Sequence, residues 1–314
     1  MADAALDSLA PPRTSGGASG GAGAARRPSR RALKAWVYLA PAAVIYLGFA
    51  IWPALNTFYL SFLDWDGVQQ PSYVGLSNYA SILRDAALYN SILHALVLII
   101  FFSLIPVGMG LLMTGLLLGR VRRGMTFFRT VYFLPQVLPL VAVGITWRWL
   151  YNQNGLLNQF LEAIGLGSIT RAWLGDYNLA LHALGFIGTW TMSGLCMMLF
   201  LSGAQKIDGA LYEAATLDGA GAFRQFVSVT IPGVRKEITI AAVITTIAAL
   251  ASFDLVFVTT NGGPANQTTV PALLVYRLAF NEGDIGTASA LAITLTALVI
   301  VFVTLIRRVA REES

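Results

Sequence analysis

Tyr212-Glu213-Ala214-Ala215-Thr216-Leu217-Asp218-Gly219-Ala220-Gly221, followed by Phe226 and then by Val229, Ile231 and Pro232, decides how this chain is read. The stretch lies in a polar interval between two apolar segments of membrane length, so a structured loop is held at a membrane face. Asp208 stands just before it and can cap a helix over about 209–217, its carboxylate accepting from the first free backbone N–H groups. Asp218-Gly219 ends that helix, because glycine enters the left-handed region without strain. A second short helix is predicted over about 222–229, and Pro232 forbids its continuation as a regular helix into the next span. The result is a helix-turn-helix knob. Ala214, Ala215, Ala220 and Ala222 carry almost no side chain, so a partner's groove can approach the backbone, with Glu213 and Arg224 available to fix register. An amphipathic helix resting in the headgroup layer is the other reading. The full spacing argues for the knob, where a lone Glu-Ala-Ala would not.

Outward from this loop, the chain of 314 residues is 56% hydrophobic and 12% charged, with a mean hydropathy of +0.66. Those values lie far outside soluble averages and indicate an integral membrane protein. Six apolar stretches, near 35–62, 92–118, 131–150, 179–201, 238–259 and 285–306, each reach the roughly 20 helical residues that cross a hydrocarbon core. The expected fold is therefore an all-α, polytopic bundle of six spans, with Pro106, Pro135 and Pro139 as places where helices kink. The cations give the orientation. Arg13, Arg26, Arg27, Arg30, Arg31 and Lys34 precede the first span; Arg120, Arg122, Arg123 and Arg129 follow the second; Lys206, Arg224, Arg235 and Lys236 flank the knob; Arg307, Arg308 and Arg311 close the chain. Only Arg84, Arg148, Arg171 and Arg277 are left for the other side, which puts both termini and the knob in the cytoplasm. The net charge of +5 is accounted for by this bias and calls for no nucleic-acid partner. Cys196 is the one cysteine, so neither a disulfide framework nor a cysteine metal site can be built. His94 and His182 lie near the outer ends of spans and read as satisfied polar residues rather than ligands.

Residues 1–33 are rich in Gly, Ala, Ser, Pro and Arg and are expected to form a disordered cytoplasmic tail. The permease body is expected over 34–309, with the knob loop at about 204–236 and a short cytoplasmic tail over 310–314. Ser29-Arg30-Arg31-Ala32-Leu33-Lys34 also fits a twin-arginine export signal. The apolar stretch after it is too long for a signal core and further spans follow, which favours an uncleaved first helix.

The knob's pattern closely resembles the EAA loop of bacterial ABC importer permeases. Two further phrases, Val74-Gly75-Leu76-Ser77-Asn78-Tyr79 and Asn261-Gly262-Gly263-Pro264, resemble the branch of that family formed by carbohydrate importers related to the maltose type. The resemblance covers about 36–308 and implies the type I importer permease fold. It also implies a second homologous permease subunit, two ATP-binding subunits, an extracytoplasmic solute-binding protein and a small-molecule sugar as substrate. The setting it implies is the bacterial plasma membrane with its lipid. ATP and Mg would be used by the partner subunits, with no cofactor or metal on this chain. Coupling would pass through Glu213, Ala214, Ala215, Asp218, Gly219 and Ala220.

Catalytic chemistry is missing from the sequence. Its three lysines, Lys34, Lys206 and Lys236, do not follow a phosphate-binding glycine loop, and there is no zinc-protease, nucleophile-elbow or paired intramembrane carboxylate pattern. A transport subunit without its own ATPase site is expected. For the substrate path, Thr245, Ala248, Ala249 and Ser252 share one face of the fifth segment, and Thr189 and Ser193 one face of the fourth, beside Trp190 and Thr191. Hydroxyls with a stacking aromatic suit a neutral polyol or sugar; helix packing through small residues explains the same stripes equally well. Gly115-Leu116-Leu117-Leu118-Gly119 is read as a close-packing face. Asp254 stands about 27 Å up a continuous fifth helix from Lys236, where it serves a sugar, an outer gate or simply the interface. Two rivals remain. A phosphorylated polyol such as glycerol phosphate wants cations on the path, and an ion-coupled secondary transporter wants midplane carboxylates and no docking loop.

Overall fold

A computed structural model of the chain describes residues 30–118 and 123–312. Most of the expected 1–33 tail, together with Gly119, Arg120, Arg122 and Ser314, lies outside the described residues. Residues up to Pro53 and those from Ala54 onward form two compact units. The first contains α1 (Arg30–Tyr46), which runs through a π-turn at Leu47–Ile51 into Trp52–Leu60.

The second unit begins with the helical residues 54–60, and a two-stranded antiparallel ribbon follows, β1 (Leu63–Asp64) and β2 (Ser72–Tyr73). It continues with α2 (Ser77–Arg84), α3 (Ala86–Leu117), α4 (Met125–Val137), α5 (Leu140–Leu150), α6 (Leu156–Ala163) and α7 (Ala180–Ala204). After these come α8 (Gly209–Leu217), α9 (222–233), α10 (Arg235–Leu250), α11 (Asp254–Thr259), α12 (Pro271–Arg277) and α13 (Ile285–Glu312). The last helix therefore runs past the 309 boundary expected for the permease body.

Three prolines inside these helices sit just after a π-turn: Pro53 after Leu47–Ile51, Pro106 after Ile100–Leu104, and Pro232 after Phe226–Thr230. Proline has no N–H to donate and its ring collides with the carbonyl four residues back. Widening the preceding turn by one residue relieves both conflicts, so the helix continues. Pro106 accordingly leaves α3 unbroken over 32 residues. Pro139 acts differently. It forces Leu138 into an extended conformation (φ −74°, ψ 139°), and α4 and α5 meet at 99°.

The six expected spans are not six unbroken helices. Among the described residues, four helices are long and apolar enough to cross a membrane (Val37–Leu60, Ala86–Leu117, Ala180–Ala204 and Ile285–Ala310), and the bent pair α4–α5 makes a fifth if taken as one span. The 238–259 segment is divided. α10 stops at Ala251 (φ −88°, ψ 10°), Phe253 takes φ −126° and ψ −60°, and α11 starts afresh at Asp254. Asp254 thus opens a separate helix rather than riding on the fifth span, and the climb of a continuous helix does not describe its position.

α7 is the axis of the second unit and packs against α3, α4 and α10. At Gly194 a Cβ would lie 2.5 Å from the Tyr132 carbonyl oxygen, so only glycine lets α4 and α7 touch backbone to backbone. Leu98, Phe102, Leu184, Ile187, Val256 and Leu273 form the main buried cluster, and Ile82, Leu88, Leu274 and Leu291 a second one.

α3 links two contrasting ends of this unit. Near its start, His94 Nδ1 lies 2.8 Å from the Thr269 carbonyl; near its finish, Gly115 meets the Phe226 ring. At the first end the loops hold themselves together. Asn78 Nδ2 donates to the carbonyls of Ser61 (2.9 Å) and Leu63 (2.8 Å), and Ser61 Oγ and Tyr79 Oη are 2.7 Å apart. Thr268 Oγ1 donates to the Gly263 carbonyl at 2.8 Å, while the Arg277 guanidinium donates to Asn266 Oδ1 (3.1 Å) and to the Asn261 carbonyl. Beside the ribbon, Asp66 Oδ1 accepts from the N–H groups of Gln69 (2.8 Å) and Val68 (2.9 Å), which holds this carboxyl below its ordinary pKa.

Candidate functional site

The loop between α7 and α10 is built by local rules. Asp208 is extended (φ −61°, ψ 129°) and its carboxylate accepts from the Ala210 N–H at 3.0 Å, opening α8. Gly219 closes it at φ +75°. The Ala220 N–H reaches back to the Ala215 carbonyl (2.9 Å) and the Gly219 N–H to the Thr216 carbonyl (3.0 Å), the paired 6→1 and 5→2 bonds of a Schellman cap. Two side-chain clips then fix α8 against α9. Gln225 Nε2 donates to Thr216 Oγ1 and to the Ala220 carbonyl, both at 2.9 Å, and Tyr212 Oη lies 3.0 Å from Thr230 Oγ1. Sequence reading gave neither Gln225 nor Tyr212 a role, because the register between α8 and α9 depends on the cap geometry.

At the root of the loop, a Cβ on Gly115 would fall 2.9 Å from Phe226 Cε2, so the glycine forms a socket for the Phe226 ring. A cavity of about 490 Å³ adjoins it, lined by Leu118, Gln205, Tyr212, Gln225 and Thr230 among others. The crown of the loop is bare. Glu213, Ala214, Asp218 and Gly219 are exposed, Ala215 and Ala220 half-buried. Neither Glu213 nor Arg224 has an ion-pair partner among the described residues. Leu217 and Phe223 stand 90% and 81% exposed, two large apolar side chains at the tip of a polar loop. Their signal in the sequence was simply apolar type at positions the knob geometry turns outward.

The residues expected along a substrate path lie in packing, at cavity walls or, for Ser193 and Ser252, in both. Thr189, Thr191, Ser193, Thr245, Ala249 and Ser252 are buried. Thr189 Oγ1 donates to the Phe101 carbonyl (2.6 Å), Thr191 Oγ1 to the Gly188 carbonyl (2.9 Å) and Thr245 Oγ1 to Ser103 Oγ (2.7 Å). These hydroxyls tie α7 and α10 to α3 and to their own helix turns. Trp190 and Ser193 instead line a cavity of about 300 Å³ with Phe128, Tyr132 and Pro135. Ser252 and Asp254 line another of about 170 Å³ with Phe102, Met192 and Ala248.

One face of α4 was missed. Arg129 Nε, Tyr132 Oη and Gln136 Oε1 are buried and have no hydrogen-bond partner among the described residues. Positions i, i+3 and i+7 put all three on one side of the helix, and Tyr132 opens into the cavity beside Trp190. Leaving a buried polar atom unpaired costs about 1–3 kcal/mol, so a ligand, water or partner is expected to satisfy this face. The signal was present as three polar residues at helical spacing in an apolar segment, obscured because Arg129 served the charge count alone.

Residues 107–312 match the family described as binding-protein-dependent transport system inner membrane component. The chain belongs to that family. The match begins in α3 and takes in the whole loop and the cavity beside Trp190. This inner membrane component is 35% identical over 260 residues to the probable ABC transporter permease protein YurN of Bacillus subtilis, covering 82% of this chain and 89% of that one. It is 33% identical over 303 residues to the diacetylchitobiose uptake system permease protein NgcF of Streptomyces coelicolor, covering 91% and 86%. Its fold matches a chain of a bacterial ABC transporter involved in the import of the acidic polysaccharide alginate, with a TM-score of 0.77 at 21% identity, covering 90% of this chain and 96% of that chain.

Proposed function

We propose that this permease forms half of the path of an ATP-driven importer for a small saccharide, an oligosaccharide or glycoside. The observation that carries the reading is the self-capped loop over 209–233 with its bare crown: an element clipped internally, whose apolar tip is left exposed by the described residues. One of two ATP-binding subunits would dock there, contacting Glu213, Ala214, Ala215, Asp218, Gly219 and Ala220 with Leu217 and Phe223 as anchors. ATP and Mg would be bound by those subunits and not by this chain, which acts as a transport subunit with no ATPase site. Their closure would move α8 and α9 as one body, and Phe226 in its Gly115 socket would pass the motion to α3. A second homologous permease would complete the path, and an extracytoplasmic solute-binding protein would deliver the substrate. Both termini and the loop would face the cytoplasm.

Sugar is favoured by the chemistry of the cavity between α4 and α7. Trp190 offers a stacking face and Ser193 and Tyr132 offer hydroxyls to a polyhydroxy ligand there, with the Gln136 amide on the same face of α4. The kinship with a diacetylchitobiose permease points the same way. Arg129, on the same face of α4, is the one feature that favours a phosphorylated polyol instead. Uptake by cells carrying the full importer separates these readings. Labelled chitobiose-type disaccharides should accumulate and glycerol phosphate should not, and accumulation should stop on ATP depletion. Uptake that persists without ATP and collapses with the proton gradient would overturn the proposal.

A further inference from the structure

Beside the root of the loop lies a cavity of about 890 Å³, enclosed by the end of α7 (Gly203), the start of α8 (Leu211), the end of α9 (Pro232), the first turns of α10 and the last turns of α13. Its lining is of two kinds. Ile207, Leu211 and Ile240 give it an apolar wall, and Lys206, Arg235, Lys236 and Arg307 bring four cations to it. The two carboxylates present are already engaged. Glu237 Oε1 pairs with Lys206 Nζ at 3.7 Å, and Asp208 caps α8. Lys236 and Arg307 have no ion-pair partner among the described residues, so the cavity keeps an uncompensated positive charge.

We infer that this cavity holds the headgroup of an anionic phospholipid, with its phosphate between Lys236 and Arg307 and its upper acyl chain along Ile207, Leu211 and Ile240. Basic pockets between transmembrane helices suit acidic headgroups. The space is far larger than a free phosphate needs, and a wall of aliphatic side chains offers such an ion nothing. The apolar tip proposed above to meet the ATP-binding subunit is a separate feature, at Leu217, about 9 Å along α8 from Leu211. A headgroup here would tie the end of α13 to the root of the loop, so that the acidic lipid content of the membrane sets how firmly the loop is held. This inference does not depend on which solute is carried.

The test uses the full importer, purified and reconstituted in vesicles of phosphatidylcholine alone or of phosphatidylcholine with phosphatidylglycerol. Native mass spectrometry reads bound lipid. The expected result is retained phosphatidylglycerol on the wild type, with loss of about fivefold for each cation removed in Lys236→Gln and Arg307→Gln. The control Arg308→Gln, an exposed neighbour outside the cavity lining, should retain it. Excess inorganic phosphate should not displace the phosphatidylglycerol bound to the wild type. Equal lipid retention by Lys236→Gln, Arg307→Gln and the control, or full displacement of the lipid by phosphate, would overturn the inference. Bound lipid is read without substrate, so this outcome is distinguishable from any failure of the saccharide proposal.

Discussion

The loop at 209–233 and the loops around 61–79 and 261–277 both carry short motifs of glycine and small polar residues, and they spend them in opposite ways. In the second pair the polar groups that matter are spent on bonds within the loops. Asn78 is 8% exposed and bridges two carbonyls, Thr268 bonds the Gly263 carbonyl, and Arg277 clamps Asn266 and Asn261. In the first, internal bonds are left to the backbone cap and to Gln225 and Tyr212, while Glu213, Ala214, Leu217 and Phe223 face outward. The lesson is physical: a motif whose polar groups are buried and paired holds its own fold, whereas a motif that leaves small and apolar groups bare on a rigid support is shaped for something else.

The largest effect is expected from breaking the inward-facing side. Asn78→Ala removes both amide bonds and leaves the Ser61 and Leu63 carbonyls unpaired at a cost of roughly 1–3 kcal/mol each. Thermal unfolding of the purified chain should shift down clearly, while association with ATP-binding subunits is unchanged. A wild-type melting temperature would show that the motif does not hold these loops.

Much of this contrast was legible in the residues themselves. Asp208, Asp218 and Gly219 set the limits of α8 because capping is a nearest-neighbour matter, readable from residue type and order. The long apolar stretches gave the helical class for the same reason. The broken 238–259 segment was not legible. Nothing in Ala251-Ser252-Phe253 announces a break, and the irregular backbone is held by packing of Leu255 and Val256 into a core assembled from distant helices. The π-turns before Pro53, Pro106 and Pro232 were hidden too, since proline signals conflict but does not say whether the helix breaks or widens. For the path, residue type gave hydroxyls but not their direction. Thr189 and Thr245 turned out to be bound within the chain, and the unpaired polar face lay on α4.

The outward-facing loop can be broken without touching the core. Gly219→Val forces a β-branched residue to φ +75°, at a cost of about 1–3 kcal/mol of local strain. Membrane insertion and melting should survive and uptake should fail. Normal uptake by this variant would remove the loop from the mechanism.

A smaller effect sharpens the comparison between bound and unbound polar groups. Tyr132→Phe and Gln136→Leu should each raise the apparent KM for saccharide several-fold, the size of a net hydrogen bond of about 0.5–1.5 kcal/mol. Thr245→Val, whose hydroxyl is already spent on Ser103, should lower stability by a similar amount and leave KM alone. A KM change for Thr245→Val equal to that for Tyr132→Phe would erase the distinction.

The central claim is that the crown of the loop is a docking surface, and retention of the ATP-binding subunits on the affinity-purified permease tests it most directly. Leu217→Asp with Phe223→Asp replaces two exposed apolar side chains with charge at no cost to the buried core. Retention should fall by at least about tenfold, the loss expected when central anchors of an interface are removed, while the melting temperature stays at the wild-type value. Undiminished retention together with wild-type uptake would contradict the account.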